Sequence, residues 1–110
     1  MSYNPKFDET TITKNQQEVE KKLTEPPKYR VILHNDDFTP MEFVILVLEK
    51  VFYYSNQQAH SLMLKVHYQG NGIIGVYTYE IAEMKLVKAI GMAKQKGYPL
   101  MLSLEKDTTE

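Results

Sequence analysis

The pattern of apolar and polar residues changes at two adjacent prolines. Over residues 1–25 the apolar side chains follow no sustained period and are diluted by polar ones, so this segment cannot offset its own ordering entropy. Pro26 and Pro27 then favour an extended entry into the part that follows. The sequence therefore predicts a flexible N-terminal extension over 1–25, a folded core over 26–106 and a polar C-terminal end over 107–110.

Three segments of the core are typical of β-strands. In the first, Tyr29, Val31 and Leu33 fall on one face, because successive side chains of a strand point to opposite sides. The second is the β-rich run 73–77, and in the third every second residue over 100–104 is leucine. Turn-forming residues border these segments, so three strands are predicted.

The first helix is predicted from its start signal. Thr39 supplies a hydroxyl for the N-cap, Pro40 suits the first helical position, and Glu42 completes a capping box. The run 43–52 is apolar on nearly every side, so this helix must be covered by more than one neighbour. We expect it to form the centre of the core.

Two further helices follow from the same kinds of signal. Ser55 and Gln58 repeat the capping box, and Gly70 is a natural C-terminal stop. Thr78 can cap the third helix, which Gly97 ends. The element order is then β-α-α-β-α-β. For so short a chain, the economical arrangement is an α+β fold in which three helices cover one face of a three-stranded sheet.

Composition and charge exclude several classes of protein. The 110 residues include 13 basic and 14 acidic side chains, a net charge of −1, with no clustered basic field to hold a phosphate backbone. No stretch approaches the ~18 apolar residues of a membrane span, and no secretory signal is present. The absence of cysteine excludes a disulfide scaffold and a thiolate nucleophile. We therefore expect a cytoplasmic protein that binds neither nucleic acid nor membranes.

The polar loop after the first strand holds the main candidates for chemistry. Turn formation is the simplest interpretation of Asn35, Asp36 and Asp37, because such side chains satisfy local backbone groups. His67, near the end of the second helix, is equally explained as a partner of the helix dipole. A metal site of His34, Asp36 and His67 lacks the paired spacing that metal ligands usually show.

Motifs for catalysis or cofactor binding are lacking. The sequence contains no frame for an activated nucleophile and no arrangement of carboxylates with distinct roles. Gly70, Gly72 and Gly75 have the spacing of a dinucleotide-binding fingerprint, but they precede or interrupt a strand, whereas the fingerprint follows a strand and opens a helix. The sequence thus predicts no enzyme, no cofactor and no metal.

A binding interpretation fits the same residues better. The amide oxygen of Asn35, the carboxylate of Asp36 and a neutral ring nitrogen of His67 are acceptors, and a primary ammonium offers three donors and no acceptor. Neighbouring Met and Val side chains suit an apolar group beside it, although they are also ordinary core residues. A ligand that carries an ammonium next to a large apolar side chain is the first residue of a polypeptide.

Two motifs carry a resemblance to a known family. The chain reads NDDFTPMEFV over 35–44 and MLKVHYQG over 63–70, with GVYTYE over 75–80 and a closing Pro99-Leu100. In these motifs it closely resembles ClpS, the bacterial adaptor of the Clp protease. The resemblance extends over about residues 26–106 and is far too long to arise by chance.

The resemblance implies a non-enzymatic adaptor. ClpS proteins capture N-degron proteins that begin with Leu, Phe, Tyr or Trp, and pass them to ClpA, an AAA+ unfoldase that feeds the ClpP peptidase. Carried onto matching positions, Asn35, Asp36 and His67 hold the substrate α-ammonium. The substrate side chain is expected in a pocket of six residues: Thr39, Met41, Val44, Met63, Val66 and Leu100.

The resemblance also implies how the partner is engaged. Glu80 and Lys85 match positions that the family uses to dock on the N-terminal domain of the unfoldase. Without the resemblance they are ordinary charges on an exposed helix face. Met41 is expected to act as a gate to the pocket, and residues 1–25 to be engaged by the unfoldase during delivery.

One alternative of a different class comes from the topology. The order β-α-α-β-α-β is also that of the C-terminal domain of the bacterial ribosomal stalk protein, which would make the chain a docking module for translation factors. That domain is typically rich in Ala, Gly, Val and Lys and lacks the loop motif of residues 35–44. A pull-down with peptides that carry N-terminal or internal Phe separates the two interpretations.

Overall fold

The computed structural model describes residues 25–108 and confirms the predicted order of elements. The strands are β1 (Lys28–His34), β2 (Asn71–Thr78) and β3 (Met101–Lys106). The helices are α1 (Met41–Lys50), α2 (Asn56–Gln69) and α3 (Tyr79–Lys96). Residues 1–24 of the predicted N-terminal extension lie outside the described residues, so the flexibility of this extension stays a prediction.

The three strands form one antiparallel sheet in the order β2-β1-β3. In the central strand, Val31 lies opposite Gly75 on one side and Leu104 on the other. The pairing with β2 shifts its register immediately after Val31. A Cβ atom at Gly75 would collide with the ring of Tyr77, so a larger residue there would displace that ring.

The helices cover one face of the sheet, which confirms the predicted α+β architecture. That face presents Val31 and Leu33 from β1 and Ile74 from β2, and all three side chains are buried. They join a single core with the inner faces of the helices, including Leu48 of α1 and Ala89 of α3. β1 is the central strand, and its residues Val31 and Leu33 belong to this core.

The predicted capping box of α2 is confirmed. The Ser55 hydroxyl accepts from the Gln58 N–H at 3.1 Å, and the Gln58 side chain accepts from the Ser55 N–H at 3.1 Å. Gly70 and Gly97 end α2 and α3 with φ of 94° and 78°, a conformation that glycine adopts without strain. Thr78 is the N-cap of α3 as predicted, but its side chain makes no capping hydrogen bond.

The predicted capping box at the start of α1 is wrong. The N-cap is Pro40, whose carbonyl accepts from the N–H groups of Phe43 and Val44, so the helix begins one residue later than predicted. The physical reason lies upstream, where Oδ1 of Asp36 accepts from the N–H of Thr39 at 2.7 Å. This bond holds Thr39 in the turn before the helix, and its hydroxyl caps nothing.

Two kinds of feature are absent from residues 25–108. None of the helices there is long and apolar enough to cross a membrane. No three potential metal ligands among the described side chains are grouped so as to hold an ion. His34, which the weak metal interpretation used, instead places Nε2 at 2.7 Å from the hydroxyl of Ser103 in β3.

Candidate functional site

A cavity of about 280 Å³ lies between the end of β1, the start of α1 and the last turns of α2. One part of its wall is polar and consists of His34, Asn35, Asp36, Asp37, Thr39 and His67. The other part is apolar and consists of Leu33, Pro40, Met41, Val44, Met63 and Val66. A ligand that pairs with both kinds of side chain needs a polar group and an apolar group.

Two sets of hydrogen bonds fix the loop that forms the polar wall. Oδ1 of Asp36 accepts from the N–H groups of Phe38 and Thr39 at 2.8 and 2.7 Å, which is the side-chain turn that aspartate commonly makes. The N–H of Asn35 donates to the carbonyl oxygen of Gly70 at 2.9 Å. Because Gly70 ends α2, this bond ties the loop to the helix that carries His67.

The structure brings together most of the residues that the sequence predicted for the site. All three predicted ammonium ligands line the cavity, and so do five of the six predicted pocket residues: Thr39, Met41, Val44, Met63 and Val66. Leu100 does not line it. That residue is buried in the core just before β3.

The polar wall offers more acceptors than the sequence prediction named. Asp37 lines the cavity and is exposed, and its carboxylate accepts no hydrogen bond from another residue in the described range. Asp36 is half-buried and uses one carboxylate oxygen for the loop, which leaves the other without a partner among residues 25–108. The second aspartate of the pair is thus the freer one, although the sequence prediction chose the first.

The apolar wall combines rigid and adaptable side chains. Met63 and Val66 of α2 are almost fully buried, so their positions are set by the core. Met41, the first residue of α1, is 44% exposed at the rim. Since an unbranched thioether chain has several accessible rotamers, Met41 is the part of the wall that adapts most easily to a ligand.

The two predicted docking residues occupy different surroundings. Glu80 is exposed in the first turn of α3. Lys85 is half-buried, because its Nζ donates to the carbonyl oxygen of Val51 at 2.8 Å and lies 4.6 Å from the ring centroid of Tyr53. Lys85 therefore connects α3 to the C-terminal end of α1 and is not an ordinary surface charge.

Comparison with known proteins decides the family. The family model described as ATP-dependent Clp protease adaptor protein ClpS matches residues 24–103. The chain belongs to the ClpS family. This confirms the resemblance carried by the two sequence motifs, and it replaces the ribosomal stalk alternative. ClpS proteins are adaptors of the Clp protease, so the general class of function is protein degradation.

Individual ClpS relatives match most of the chain. The adapter protein ClpS of Caulobacter vibrioides strain NA1000 / CB15N is 49% identical over 90 residues, which are 82% of this chain and 83% of that protein. The ClpS protein of Erwinia tasmaniensis is 52% identical over 88 residues, which are 80% of this chain and 83% of that protein.

A solved ClpS structure has the same fold. Agrobacterium tumefaciens ClpS2 bound to L-phenylalaninamide superposes with a TM-score of 0.73 and is 38% identical. The match covers 76% of this chain and all of the Agrobacterium chain. The ligand of that relative carries a primary ammonium beside an aromatic side chain.

Proposed function

We propose that this chain binds proteins through an N-terminal Leu, Phe, Tyr or Trp and delivers them to a ClpA-type unfoldase of the Clp protease. The observation that carries the proposal is the single cavity that joins ammonium acceptors to an apolar wall. Both partners of such an adaptor are cytoplasmic proteins, so we place this chain in the cytoplasm.

The polar wall accounts for recognition of a free amino terminus. Asn35, Asp36 and His67 supply acceptors for the three N–H donors of an ammonium, and Asp37 adds a second carboxylate. Hydrogen bonds between an ammonium and a carboxylate are about twice as strong as those between neutral groups. An internal residue has no ammonium, so its amide leaves these carboxylates without a counter-ion.

The apolar wall accounts for the choice of side chain. Benzene fits an engineered protein cavity of about 150 Å³, so a cavity of about 280 Å³ has room for one large side chain together with its ammonium. Burial of a Phe or Leu side chain contributes roughly 1.5 to 3 kcal/mol, and hydrogen bonds to a charged group contribute a similar amount. A micromolar affinity requires about −8 kcal/mol, so contacts to the following peptide units must add to these.

The second half of the proposal concerns docking on the unfoldase and delivery to it. Glu80 is an exposed carboxylate and is available to a partner directly. Lys85 supports docking indirectly. Its Nζ donates a hydrogen bond to the carbonyl oxygen of Val51 and lies over the ring of Tyr53, so it fixes the surface that these residues form. Residues 1–25 are the segment proposed to enter the unfoldase during delivery.

The proposal is tested by blocking the ligand ammonium. Fluorescence anisotropy is measured with a labelled peptide that begins with Phe and with the same peptide acetylated at its N-terminus. We expect acetylation to weaken binding at least tenfold, a loss of about 1.4 kcal/mol. A peptide with the same sequence behind an N-terminal Ser serves as the control for non-specific binding. Equal affinity of the free and acetylated peptides would contradict the ammonium site.

A further inference from the structure

One face of the sheet is not covered by the helices of the described range. Val31 and Leu33 point into the core from β1, and successive side chains of a strand point to opposite faces. Ile32 therefore lies on the face opposite to the core. It is buried at 9% exposure and yet is not a member of the core cluster. The face that Ile32 shares with Arg30 and His34 is called the open face.

All three strands contribute to an apolar patch on the open face. The register places three apolar partners directly opposite the residues of β1 on this face: Ile73, Val76 and Met101. They are 47%, 45% and 53% exposed, respectively. With Ile32 between them, they form an apolar surface. Packing another layer of secondary structure on such a surface stabilises a sheet.

The main polar groups of the open face already have partners. Nε2 of His34 lies 2.7 Å from the hydroxyl of Ser103. Nε of Arg30 donates to Oδ1 of Asp107 at 3.0 Å, and a carboxylate oxygen of Glu105 lies 3.8 Å from the same guanidinium. The surface left for a partner is therefore apolar, which favours the apolar side of another element over a charged ligand.

The sequence just before the described range contains the signals of a short helix. Asn15 and Glu18 have the spacing of a capping box. The run 16–23 consists mainly of Gln, Glu and Lys, which are good helix formers, and two prolines follow it closely. Val19 and Leu23 are four positions apart, so they share one side of such a helix. An isolated helix of this length is marginal in water, so it needs a surface to pack on.

The connection to β1 directs this helix to the open face. Residues 24–27 join it to the central strand of the sheet, and connections of about two to six residues normally join a helix to a strand. Four extended residues span at most about 14 Å, and stacked layers lie about 10 Å apart. A helix held so closely to the central strand packs on one of the two faces of the sheet. Since the helices α1, α2 and α3 already occupy one face, the open face is the one available.

We propose that residues 16–23 form a helix that packs on the open face through Val19 and Leu23. The chain's own segment is favoured over a second copy of the protein, because its tether gives it a roughly millimolar effective concentration. Residues 1–15 lie outside this contact and stay available to the unfoldase proposed above. The inference concerns the free protein, so its test requires neither cargo nor unfoldase.

Limited proteolysis with trypsin tests the contact without changing the segment. The bond after Lys22 lies inside the proposed helix, whereas the bond after Lys6 lies outside it. Cleavage of a docked segment requires that it leave the surface, so the rate follows the population of the undocked state. Ile73→Asp places a charge in the apolar patch and is expected to speed cleavage after Lys22 about tenfold. Cleavage after Lys6 is expected to stay the same.

Val87→Asp is the matched control for Ile73→Asp. Val87 is also an exposed apolar residue, but it belongs to α3, on the other side of the sheet. Its variant should leave both cleavage rates at their wild-type values. If Val87→Asp speeds cleavage after Lys22 as much as Ile73→Asp does, the effect is not specific to the open face and the inference is overturned.

A spin label locates the segment directly. The chain has no cysteine, so one introduced cysteine can carry a nitroxide, which broadens the NMR signals of nearby amides. A label at Glu105→Cys, on the open face, is expected to broaden the signals of residues 16–23 far more than a label at Lys88→Cys on α3. Val19→Asp, which lies before the described core, is expected to remove this difference. This measurement decides the inference if Ile73→Asp does not fold.

Three further results would overturn the inference. Equal rates of cleavage after Lys22 in the wild-type chain and in a folded Ile73→Asp variant would show that the segment does not dock on the open face. Equal broadening by the two spin labels would show the same. We expect a monomer in analytical ultracentrifugation, and a wild-type dimer that Ile73→Asp converts to a monomer would show that a second copy covers the open face instead.

Discussion

At the scale of single residues, two adjacent carboxylates of the site have different tasks. Asp36 holds the loop through the N–H groups of Phe38 and Thr39, and only its second oxygen is open to a ligand. Asp37 is exposed on the cavity wall and contributes nothing to the hydrogen bonds of the loop. One aspartate therefore fixes the loop, while the other makes no hydrogen bond within residues 25–108.

This division of tasks predicts different effects of two substitutions. Asp37→Ala is expected to weaken binding of a peptide with N-terminal Phe at least tenfold, a loss of about 1.4 kcal/mol. It is expected to leave the unfolding temperature unchanged. Asp36→Ala is expected to weaken peptide binding as much. It is also expected to lower the unfolding temperature, because two backbone N–H groups lose their acceptor. Anisotropy and thermal unfolding measure the two effects.

Glu42→Ala is the matched control for the aspartate variants. Glu42 is also an exposed acidic residue close to the loop, in the first turn of α1, but it does not line the cavity. Its variant should bind the Phe peptide as the wild-type chain does. Loss of peptide binding in Glu42→Ala equal to that in Asp37→Ala would show that net charge, and not the position of Asp37, matters.

The exposed rim position of Met41 predicts its effect on selectivity. A thioether chain admits flat or γ-branched side chains while crowding a branch at Cβ, and Met41 lies at the rim with 44% of its surface exposed. Met41→Ala is expected to raise the affinity of peptides that begin with Ile or Val relative to those that begin with Leu. Competition titrations measure this ratio. An unchanged ratio removes Met41 from the role of a gate.

Most residues of the cavity wall were predictable from the sequence because they lie in two continuous motifs. Asn35, Met41 and His67 were named from the family resemblance that these motifs carry, and the structure places all three on the cavity wall. The role of Asp37 could not be predicted from the sequence. Either aspartate of the pair can form the turn, and backbone geometry decides which one does. The displacement of Thr39 from the helix cap has the same cause.

At the scale of elements, a single lysine connects two helices. The C-terminal end of α1 has carbonyl groups without helical partners, and Lys85 of α3 binds that of Val51 at 2.8 Å. The same ammonium lies over the ring of Tyr53, which has a positive φ of 61° and is 75% exposed. A positive φ is strained for a bulky residue, so Lys85 helps to hold a conformation that the local sequence does not favour.

This connection predicts that Lys85 contributes to stability before any partner is present. Lys85→Met is expected to lower the free energy of unfolding by about 1 to 2 kcal/mol through loss of the hydrogen bond and of the contact with the aromatic ring. Lys88→Met is the control, because Lys88 is an exposed lysine of the same helix. Urea unfolding compares the two variants. If they are equally stable, the bond to Val51 contributes nothing and Lys85 is free to serve docking alone.

The elements themselves were predictable where strong local signals mark their ends. Gly70 and Gly97 end two helices, and Ser55 begins one, because these residues satisfy helix termini with their own atoms. The order of the strands in the sheet had no such signal. It depends on contacts between β1 and β3, which are separated by most of the folded chain.

At the scale of the whole molecule, the proposed delivery step places a requirement on the N-terminal segment. A flexible coil of about 25 residues has a reach of roughly 25 to 30 Å. That distance is sufficient for the segment to enter an unfoldase pore beside a docked core. The cavity residues of the proposed peptide site, in contrast, belong to the described core.

Deletion of residues 1–22 should therefore separate binding from delivery. We expect the truncated chain to bind an N-terminal Phe peptide and to dock on the unfoldase nearly as the full chain does. We expect ClpA-dependent degradation of a reporter with N-terminal Phe to be lost. A full-length chain with residues 1–22 in scrambled order is the control for segment length. Degradation by the truncated chain at the full-length rate would show that the segment is dispensable.

The bond between the Asn35 N–H and the Gly70 carbonyl joins parts of the chain that are 35 positions apart and thereby makes the cavity a property of the folded state alone. A ligand that binds only the folded state adds to its stability, by about 2.7 kcal/mol when the free ligand is at one hundred times its dissociation constant. Under the proposed function, the cargo therefore protects its carrier. A loaded adaptor is therefore expected to resist global unfolding better than an empty one.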